Sequence, residues 1–469
     1  MTMKSNICSG CYSFLFYGKD VRLMNRSIDL IKGNVFKSLV IFSLPFLFSN
    51  LFQQLYNTID TYIVGNTLNE ESLAAIGACA AIFELLVGFA VGVGNGMSVV
   101  TAKYYGAGDK EMVRKSIASS FIIAVIVTVI MMIGSIFGLY PLLRVLKTPS
   151  DIIDEAYSYI SVIALFVGVM LSYNLFSGIL KAMGNSFMPL IFLIISTAIN
   201  VVLDYVFIAV ANMGIRGAAV ATVIAEFTSA VLCMIYLFKK YREYLPGRKD
   251  FRYDGRLSGE LWAQGLAMGF MSSIVSIGTV ILQSSINKLG KHIIAGHTAA
   301  RKIMAFSTLP ITTVGLSITT FVSQNVGAEK PDRVRKGIRY GCIITTVWSV
   351  IALIILELLS PVLVKFLSGS EVDTVVTTGV NYLKFNVLFY IPLGILITLR
   401  CSLQGMGKKI LPILSSVIEL FGKVVFTFAV IPHMGYNGVI ICEPVVWCAM
   451  AVYLVIAYIK AVPKSCPEA

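Results

Sequence analysis

The sequence predicts an all-α polytopic membrane protein, with twelve transmembrane helices in two six-helix bundles related by a parallel internal repeat. Composition is the first observation behind this prediction. Hydrophobic residues make up 57% of the 469 positions and charged residues only 13%, whereas an ordinary soluble domain has about 25% charged residues. The mean hydropathy is +0.82. A compact interior cannot bury this much apolar surface, so much of it must face hydrocarbon.

Apolar stretches separated by charged, Gly or Pro residues are the predicted spans, and each can supply the roughly 20 residues that a bilayer-crossing helix needs. The twelve stretches lie at 37–63, 79–101, 116–140, 156–180, 188–210, 217–238, 260–287, 298–323, 338–360, 377–400, 411–431 and 437–459. We expect an N-terminal segment (1–36), a first bundle (37–238), a linker (239–259), a second bundle (260–460) and a tail (461–469). The segment from Met24 is typical of the start of a membrane protein, because a short basic stretch leads into the first span. We therefore interpret residues 1–23 as an optional extension.

The basic residues predict the orientation. Of the 38 Lys and Arg residues, 28 fall in the connections that would share a compartment with both termini, among them Lys181 and the group from Arg400 to Lys409. The positive-inside rule then places both termini in the cytoplasm of a multi-pass protein of the cell membrane. The same rule accounts for the net charge of +13 without a nucleic-acid partner.

The sequence has no pattern typical of an enzyme. Its three histidines form no HExxH motif, and neither GxSxG nor the phosphate-binding GxxxxGK occurs. The nine cysteines are scattered, and the one CxxC, at Cys8 and Cys11, is a weak metal or redox signal by itself. We therefore expect neither enzymatic activity nor a cofactor.

The two halves of the chain repeat each other, which favours a carrier over a channel. Six residues between Gly106 and Ile117 recur between Gly327 and Ile338 at a constant offset of 221. Six spans separate the copies, so both halves have the same orientation. Carriers use such duplication to expose a central cavity to each side of the membrane in turn. We expect a monomer surrounded by membrane lipid.

Several stretches carry a resemblance to a known family. They are Leu44-Pro45 with IDTYIVG and LAAIGA, then AKYYGAGDKEMVRK, AINVVLDYVFI and GIRGAAVATVI, and in the second half KLGKHIIAGHTAARK, SQNVGAEKPDRVRKGIRYG and NGVIICEPVVW. From about Met24 to Lys460 the chain resembles the multidrug and toxic compound extrusion (MATE) family. The resemblance implies a V-shaped pair of bundles that exports organic cations and similar compounds in exchange for protons or sodium ions.

Four polar residues of the first half are the candidate cation-coupling site. Asn200 and Asp204 lie four residues apart, and hence on one face of an otherwise apolar span. Asp60 lies in the first span, although an interfacial position near the outer helix end is the alternative. Thr222 adds an oxygen, although threonine in an apolar helix more often bonds its own backbone. The resemblance implies that positions matching these four form a cation site, here for a proton or a sodium ion.

The second half does not copy this site. At the repeat positions of Asn200, Asp204 and Thr222 it has Lys423, Thr427 and Glu443. We expect Glu419 to pair with Lys423 one turn away, and Glu443 either to line the cavity or to meet a base such as Lys384. The seventh span offers Gln283 but no carboxylate after Glu260, which argues against a second sodium site.

Further polar and aromatic side chains are candidates for a substrate cavity, although ordinary packing is the alternative for the aromatic ones. The candidates are Tyr56, Glu84, Tyr173, Tyr205, Glu226, Gln283, Glu419 and Glu443. The glycines between Gly88 and Gly96 are typical of close helix packing. Arg114 and Lys115 are typical of topology anchors and lipid headgroup contacts.

The predicted function is export of organic cations, drugs or toxic metabolites by a secondary active antiporter. The alternative is a flippase for lipid-linked precursors or polysaccharides, which has a related architecture. Such flippases generally have a more cationic cavity, whereas the predicted spans here contain more acids than bases.

Overall fold

The computed structural model describes residues 27–68, 70–146 and 148–461. The Cys8–Cys11 pair, the proposed extension at 1–23 and most of the tail lie outside the described residues. Within them, every regular element is helical. Ten helices are long and apolar enough to cross a membrane, and two bent pairs bring the number of spans to twelve. The predicted fold class is therefore confirmed.

The first half contains seven α-helices that make six spans. They are α1 (Val35–Thr67), α2 (Glu70–Gly106), α3 (Lys110–Val145), the pair α4 (Ile153–Leu165) and α5 (Val167–Ala182) bent by 44°, α6 (Phe187–Asp204) with a π-helical extension (Tyr205–Val210), and α7 (Ile215–Lys240). Short 3-10 turns at Arg242–Tyr244 and Arg248–Phe251 form the linker between the halves.

The second half repeats this order. It contains α8 (Gly255–Ile286), α9 (Lys291–Gly327), α10 (Pro331–Ser368), the pair α11 (Asp373–Val387) and α12 (Tyr390–Gly405) bent by 58°, α13 (Ile410–Val425) with a π-helical extension (Phe426–Val430), the short α14 (Ile431–Met434), and α15 (Tyr436–Ala461).

Several helices extend beyond the predicted apolar stretches, because polar residues continue or cap them. In α3, for example, the Asp109 side chain accepts a hydrogen bond from the backbone N–H of Met112 at 2.9 Å, which satisfies an otherwise unpaired donor of the first turn. The helix therefore begins at Lys110, six residues before the predicted stretch at 116.

Because the chain makes twelve spans, the start of α1, the linker and the end of α15 lie at one end of the molecule, here called the terminal end. The opposite end is called the far end. One predicted terminal-end residue is placed differently. Arg400 was counted with a connection, but it lies within α12 and is 8% exposed. That prediction was wrong, because the side chain is held inside the second half by a carboxylate from α13.

The two halves exchange the beginnings of their first helices. Leu39 and Phe42 of α1 belong to the hydrophobic core of the second half. Leu257 and Leu261 of α8 belong to a core of the first half. Each half is therefore bound to the other by apolar burial at the terminal end, so a relative movement of the halves must carry α1 and α8 with it.

Glycines let the halves approach closely near the terminal end. A Cβ at Gly92 would stand 2.6 Å from the carbonyl oxygen of Met268, and one at Gly96 would stand 2.5 Å from that of Gln264. The close packing predicted for this glycine series is confirmed. Two hydrogen bonds add to the contact, from Ser323 Oγ to the Val99 carbonyl at 2.6 Å and from Gln324 Nε2 to the Ala182 carbonyl at 2.7 Å.

The segment before α1 also bridges the halves. Its Ile28 N–H donates to the Gly184 carbonyl of the first half at 2.9 Å. On the other side, the Arg333 guanidinium donates to the carbonyls of Leu30, Lys32 and Gly33 at 2.8 to 3.2 Å. The segment therefore holds the halves together at the terminal end.

Candidate functional site

Two carboxyl groups meet inside the first half. Asp60 of α1 and Asp204 of α6 lie near each other, although no hydrogen bond joins their side chains. Asp204 is fully buried and Asp60 is half-buried. Asp60 lies seven residues before the end of α1, which is about two turns inside the far end.

Other polar groups surround the two carboxyls. The Tyr56 hydroxyl donates to Thr222 Oγ1 at 3.0 Å. Asn200 lies one turn before Asp204 and is fully buried. The four residues predicted from the sequence are thus brought together, and Tyr56 ties α1 to α7 beside them. We call Tyr56, Asp60, Asn200, Asp204 and Thr222 the first-half cluster.

Many buried polar atoms of this cluster have no hydrogen-bond partner among the described residues. They include Asp60 Oδ1, both carboxyl oxygens of Asp204 and both amide atoms of Asn200. Each unsatisfied buried polar group costs about 1–3 kcal/mol, and a charged one costs more. The oxygens therefore fit a bound proton or a small hard cation. No group of three or more His, Cys, Asp or Glu side chains suited to a metal occurs in the described part of the chain.

A change in helix type follows Asp204 directly. The chain passes from α-helix to π-helix at Tyr205, and π-helical turns are frequent at functional sites. The second half has a π-helical stretch near the equivalent position, where Thr427 replaces the aspartate. The repeat therefore preserved the backbone feature, and only the first half placed an acid beside it.

The second half contains a network of ion pairs instead. Arg301 Nη1 of α9 binds Glu443 Oε1 of α15 at 2.6 Å, and the Tyr382 hydroxyl donates to Glu443 Oε2 at 2.8 Å. Glu419 Oε1 accepts from Lys423 Nζ at 2.9 Å. The predicted pair of Glu419 and Lys423 is confirmed.

Glu443 meets a base, as one of the two expectations for it stated, but the suggested base Lys384 was wrong. Lys384 binds Glu357 at 3.0 Å, and Glu443 binds Arg301 instead. The first pair joins the consecutive helices α11 and α10, whereas the second joins α9 to α15, 142 residues away. Span assignment alone does not reveal which base meets which acid. Glu419 has a second partner that the sequence analysis also missed, since Arg400 Nη2 lies 3.4 Å from its Oε2.

Glu84 of α2 faces the second half. It is exposed, and it lies close enough to Arg301 and Lys423 to feel the charge of both. Among the described residues it forms no ion pair. Gly88, one turn nearer the terminal end, lies against Ser272. Within the described ranges, Glu84 is therefore an unpaired acid, one turn beyond the packed Gly88, that faces two bases of the second half.

The remaining candidates for the substrate cavity do not line one common cavity in the described residues. Glu226 lines a small cavity of about 10 Å³ together with Tyr56 and Gln53, which has room for about one water molecule. Tyr173 is buried near Glu226. Tyr205 is 60% exposed on the π-helical stretch. Gln283 donates to Asn287 at 2.8 Å on its own helix.

The sequence analysis missed one aromatic residue beside the first-half cluster. Tyr159 of α4 is buried and close to both Asp60 and Asp204. Tyrosine is common in apolar helices, so only its proximity to the two carboxyl groups distinguishes it from a packing residue. Arg301 could have been singled out more easily than Tyr159, because a charged residue inside a predicted span is unusual.

Comparisons with known proteins agree with this architecture. The MatE family profile matches residues 45–206 and 267–429. The chain is 26% identical to the probable multidrug resistance protein YoeA of Bacillus subtilis (strain 168), over 92% of this chain and 95% of that one. It is 25% identical to the probable multidrug resistance protein NorM of Thermotoga maritima, over 82% and 83% of the two chains.

A solved structure has the same fold. It is described as the outward-facing conformation of a multidrug resistance MATE family transporter, and it matches with a TM-score of 0.85 at 22% identity, over 94% of this chain and 98% of that one. The proteins of this family are transporters and not enzymes. Because the family profile matches both halves, and more than half of the residues, the chain belongs to the multidrug and toxic compound extrusion family of efflux transporters.

Proposed function

We propose that the protein is a secondary active antiporter that exports organic cations, drugs or toxic metabolites in exchange for protons or sodium ions. The observation that carries this proposal is the adjacent pair Asp60 and Asp204 with unpartnered buried oxygens. Two carboxylates side by side in a low-dielectric interior cannot both ionise cheaply. One holds a proton until a cation takes its place, so the pair acts as an exchange device.

The path of α1 connects this exchange to alternating access. At its far-end part α1 carries Asp60, and at its beginning it is packed in the core of the second half. An ion or proton shared between α1 and α6 therefore changes the position of a helix that both halves hold. Tyr56 and Thr222 would position α1, and Asn200 would orient the Asp204 carboxyl.

The orientation follows from the distribution of basic residues. With both termini in the cytoplasm, the glycine-packed terminal end faces the cytoplasm, and Glu84 lies on the outer side of that contact. Glu84 and Glu226 would attract the cationic part of a cargo molecule. Arg301, Arg400 and Lys423 make the interior of the second half more basic than expected, which favours the flippase alternative, but each base is paired with a glutamate.

Dye efflux from proteoliposomes tests the proposal. A fluorescent organic cation is loaded inside, pH or sodium gradients are imposed separately, and wild type is compared with Asp204→Asn. The exposed Asp151→Asn is the matched control, because it removes a carboxylate outside the cluster. Gradient-driven efflux that only Asp204→Asn abolishes supports the antiporter and identifies the ion. Unchanged efflux in Asp204→Asn moves coupling elsewhere, and movement of a lipid-linked precursor without cation efflux favours the flippase.

A further inference from the structure

The linker between the halves folds back onto the terminal end of the first half. Arg114 of α3 binds the Asp250 carboxylate at 3.5 Å and donates to the Glu243 carbonyl at 3.5 Å. Lys110, one turn earlier, binds the Glu243 carboxylate at 2.5 Å. These contacts fix the linker against α3, so surfaces that it shares with the helices are parts of one defined shape.

An apolar groove lies beneath this linker. Its volume is about 380 Å³, and all ten residues that line it are apolar. Its walls come from the terminal-end parts of α3, α5 and α7, and Phe251 of the linker closes one side. Phe238 and Phe251 are 58% and 46% exposed. A groove of this kind at the membrane boundary is suited to a hydrocarbon chain rather than to water.

A charged groove of about 460 Å³ lies next to it. Four basic residues line it, namely Arg114, Lys115, Lys249 and Arg252. Its three carboxylates already have partners, since Glu111 binds Lys115 at 2.6 Å, Asp250 binds Arg114, and Asp254 accepts from the first backbone N–H groups of α8. Lys249 and Arg252 form no ion pair with any described residue. The groove therefore has positive charge available for an anion.

The two grooves are adjacent along the same elements. On α3, Lys115 lines the charged groove and Phe121 lines the apolar one, a separation of six residues or about 9 Å along the helix. On the linker, Phe251 lines the apolar groove and the next residue, Arg252, lines the charged one. An anionic group joined directly to a hydrocarbon chain matches this arrangement.

We propose that the two grooves form a single site for an anionic glycerophospholipid, with an acyl chain in the apolar groove and the phosphate and headgroup at Lys249, Arg252 and Arg114. Juxtamembrane basic residues attract the anionic lipids of the cytoplasmic leaflet, and the linker converts such attraction into a shaped site. The site belongs to one half only. The repeat supplies Arg335 and Lys336 at the positions of Arg114 and Lys115, but the interhalf linker covers only the first half. This inference is independent of the proposed transport function.

Lipid binding to the purified full chain in detergent tests the proposal. Fluorescent phosphatidylglycerol and phosphatidylcholine with the same acyl chains are titrated separately. We expect wild type to prefer phosphatidylglycerol, and Lys249→Gln/Arg252→Gln to lose roughly thirtyfold in affinity for it, as two headgroup-facing basic residues predict. Affinity for phosphatidylcholine should fall much less, because its choline cation offsets the charge of the phosphate.

Two further variants separate the site from diffuse attraction. Lys336→Gln/Arg339→Gln removes two exposed charges from the second half and should leave both affinities unchanged. Met234→Trp fills the apolar groove and should weaken both lipids alike. Equal loss in the two charge variants, or no preference for phosphatidylglycerol in wild type, would overturn the proposal. Competition by millimolar inorganic phosphate as strong as that by unlabelled lipid would show an anion site without a lipid chain, and would also overturn it.

Discussion

Gly106 and Gly327 occupy equivalent positions 221 residues apart, and each packs against the backbone of the other's helix. A Cβ at Gly106 would stand 2.0 Å from the Gln324 carbonyl oxygen, and one at Gly327 would stand 1.8 Å from that of Lys103. Lys103 and Gln324 are themselves 221 residues apart. The two copies of the repeated segment therefore pack against each other, and each glycine makes the same contact with the opposite helix. This is where α2 and α9 cross at the terminal end.

Replacing either glycine should therefore push the halves apart. We expect Gly106→Ala and Gly327→Ala each to lower the free energy of unfolding by about 1–3 kcal/mol, because the added methyl meets rigid backbone. Gly134→Ala is the matched control, since its Cβ would have no neighbour within 4 Å, and it should be neutral or slightly stabilising. Thermal unfolding in detergent measures all three. Equal melting temperatures for Gly106→Ala and Gly134→Ala would contradict the close crossing of α2 and α9.

The hydrogen bonds from Arg333 to the segment before α1 give a second prediction. Removing its guanidinium in Arg333→Gln deprives three carbonyls of the segment before α1 of their donors. Backbone amides of residues 28–34 should then exchange with deuterium roughly tenfold faster, because each charge-assisted hydrogen bond contributes about 1 kcal/mol or more. Arg339→Gln, on the same helix but exposed, should leave this exchange unchanged. If the exchange rates of these amides are the same in Arg333→Gln as in wild type, the hydrogen bonds from Arg333 do not stabilise the segment.

The pair of Arg301 and Glu443 gives a third prediction. Glu443 is only 7% exposed in its side chain, so Arg301→Gln leaves a buried carboxylate without its main partner and should cost about 3–5 kcal/mol of stability. Arg301→Gln/Glu443→Gln should recover much of that loss. Lys384→Gln, which breaks a pair whose side chains are 39% and 40% exposed, should cost about 1 kcal/mol or less. A double variant no more stable than Arg301→Gln would contradict the coupling.

Asp204 should behave in the opposite way to Glu443. Asp204→Asn replaces a buried carboxyl that lacks hydrogen-bond partners, so we expect the melting temperature to hold or rise while ion-coupled efflux is lost. Glu443→Gln removes a carboxylate that accepts bonds from Arg301 and Tyr382 and should lower the melting temperature. Unfolding and efflux are measured on the same preparations. A clear loss of stability in Asp204→Asn would assign Asp204 a structural role instead.

Sequence reasoning anticipated those features that depend on nearby residues. The twelve spans follow from runs of apolar residues, and the shared face of Asn200 and Asp204 follows from the helical period. The pair of Glu419 and Lys423 follows from the same four-residue spacing. All of these relationships lie within one helix, where the geometry is known before the helices pack.

Relationships between helices were decided by packing. Arg301 and Glu443 are 142 residues apart, and which acid a base meets depends on helix crossing and rotation, which no local spacing encodes. The choice of Lys384 as the partner of Glu443 failed for that reason, and Arg400 was misplaced because its burial depends on Glu419 from another helix. Likewise, residue types alone indicated Asp60 and Asp204, but only the packing of α1 against α6 brought their carboxyl groups together, because contact between distant segments is fixed by the tertiary fold.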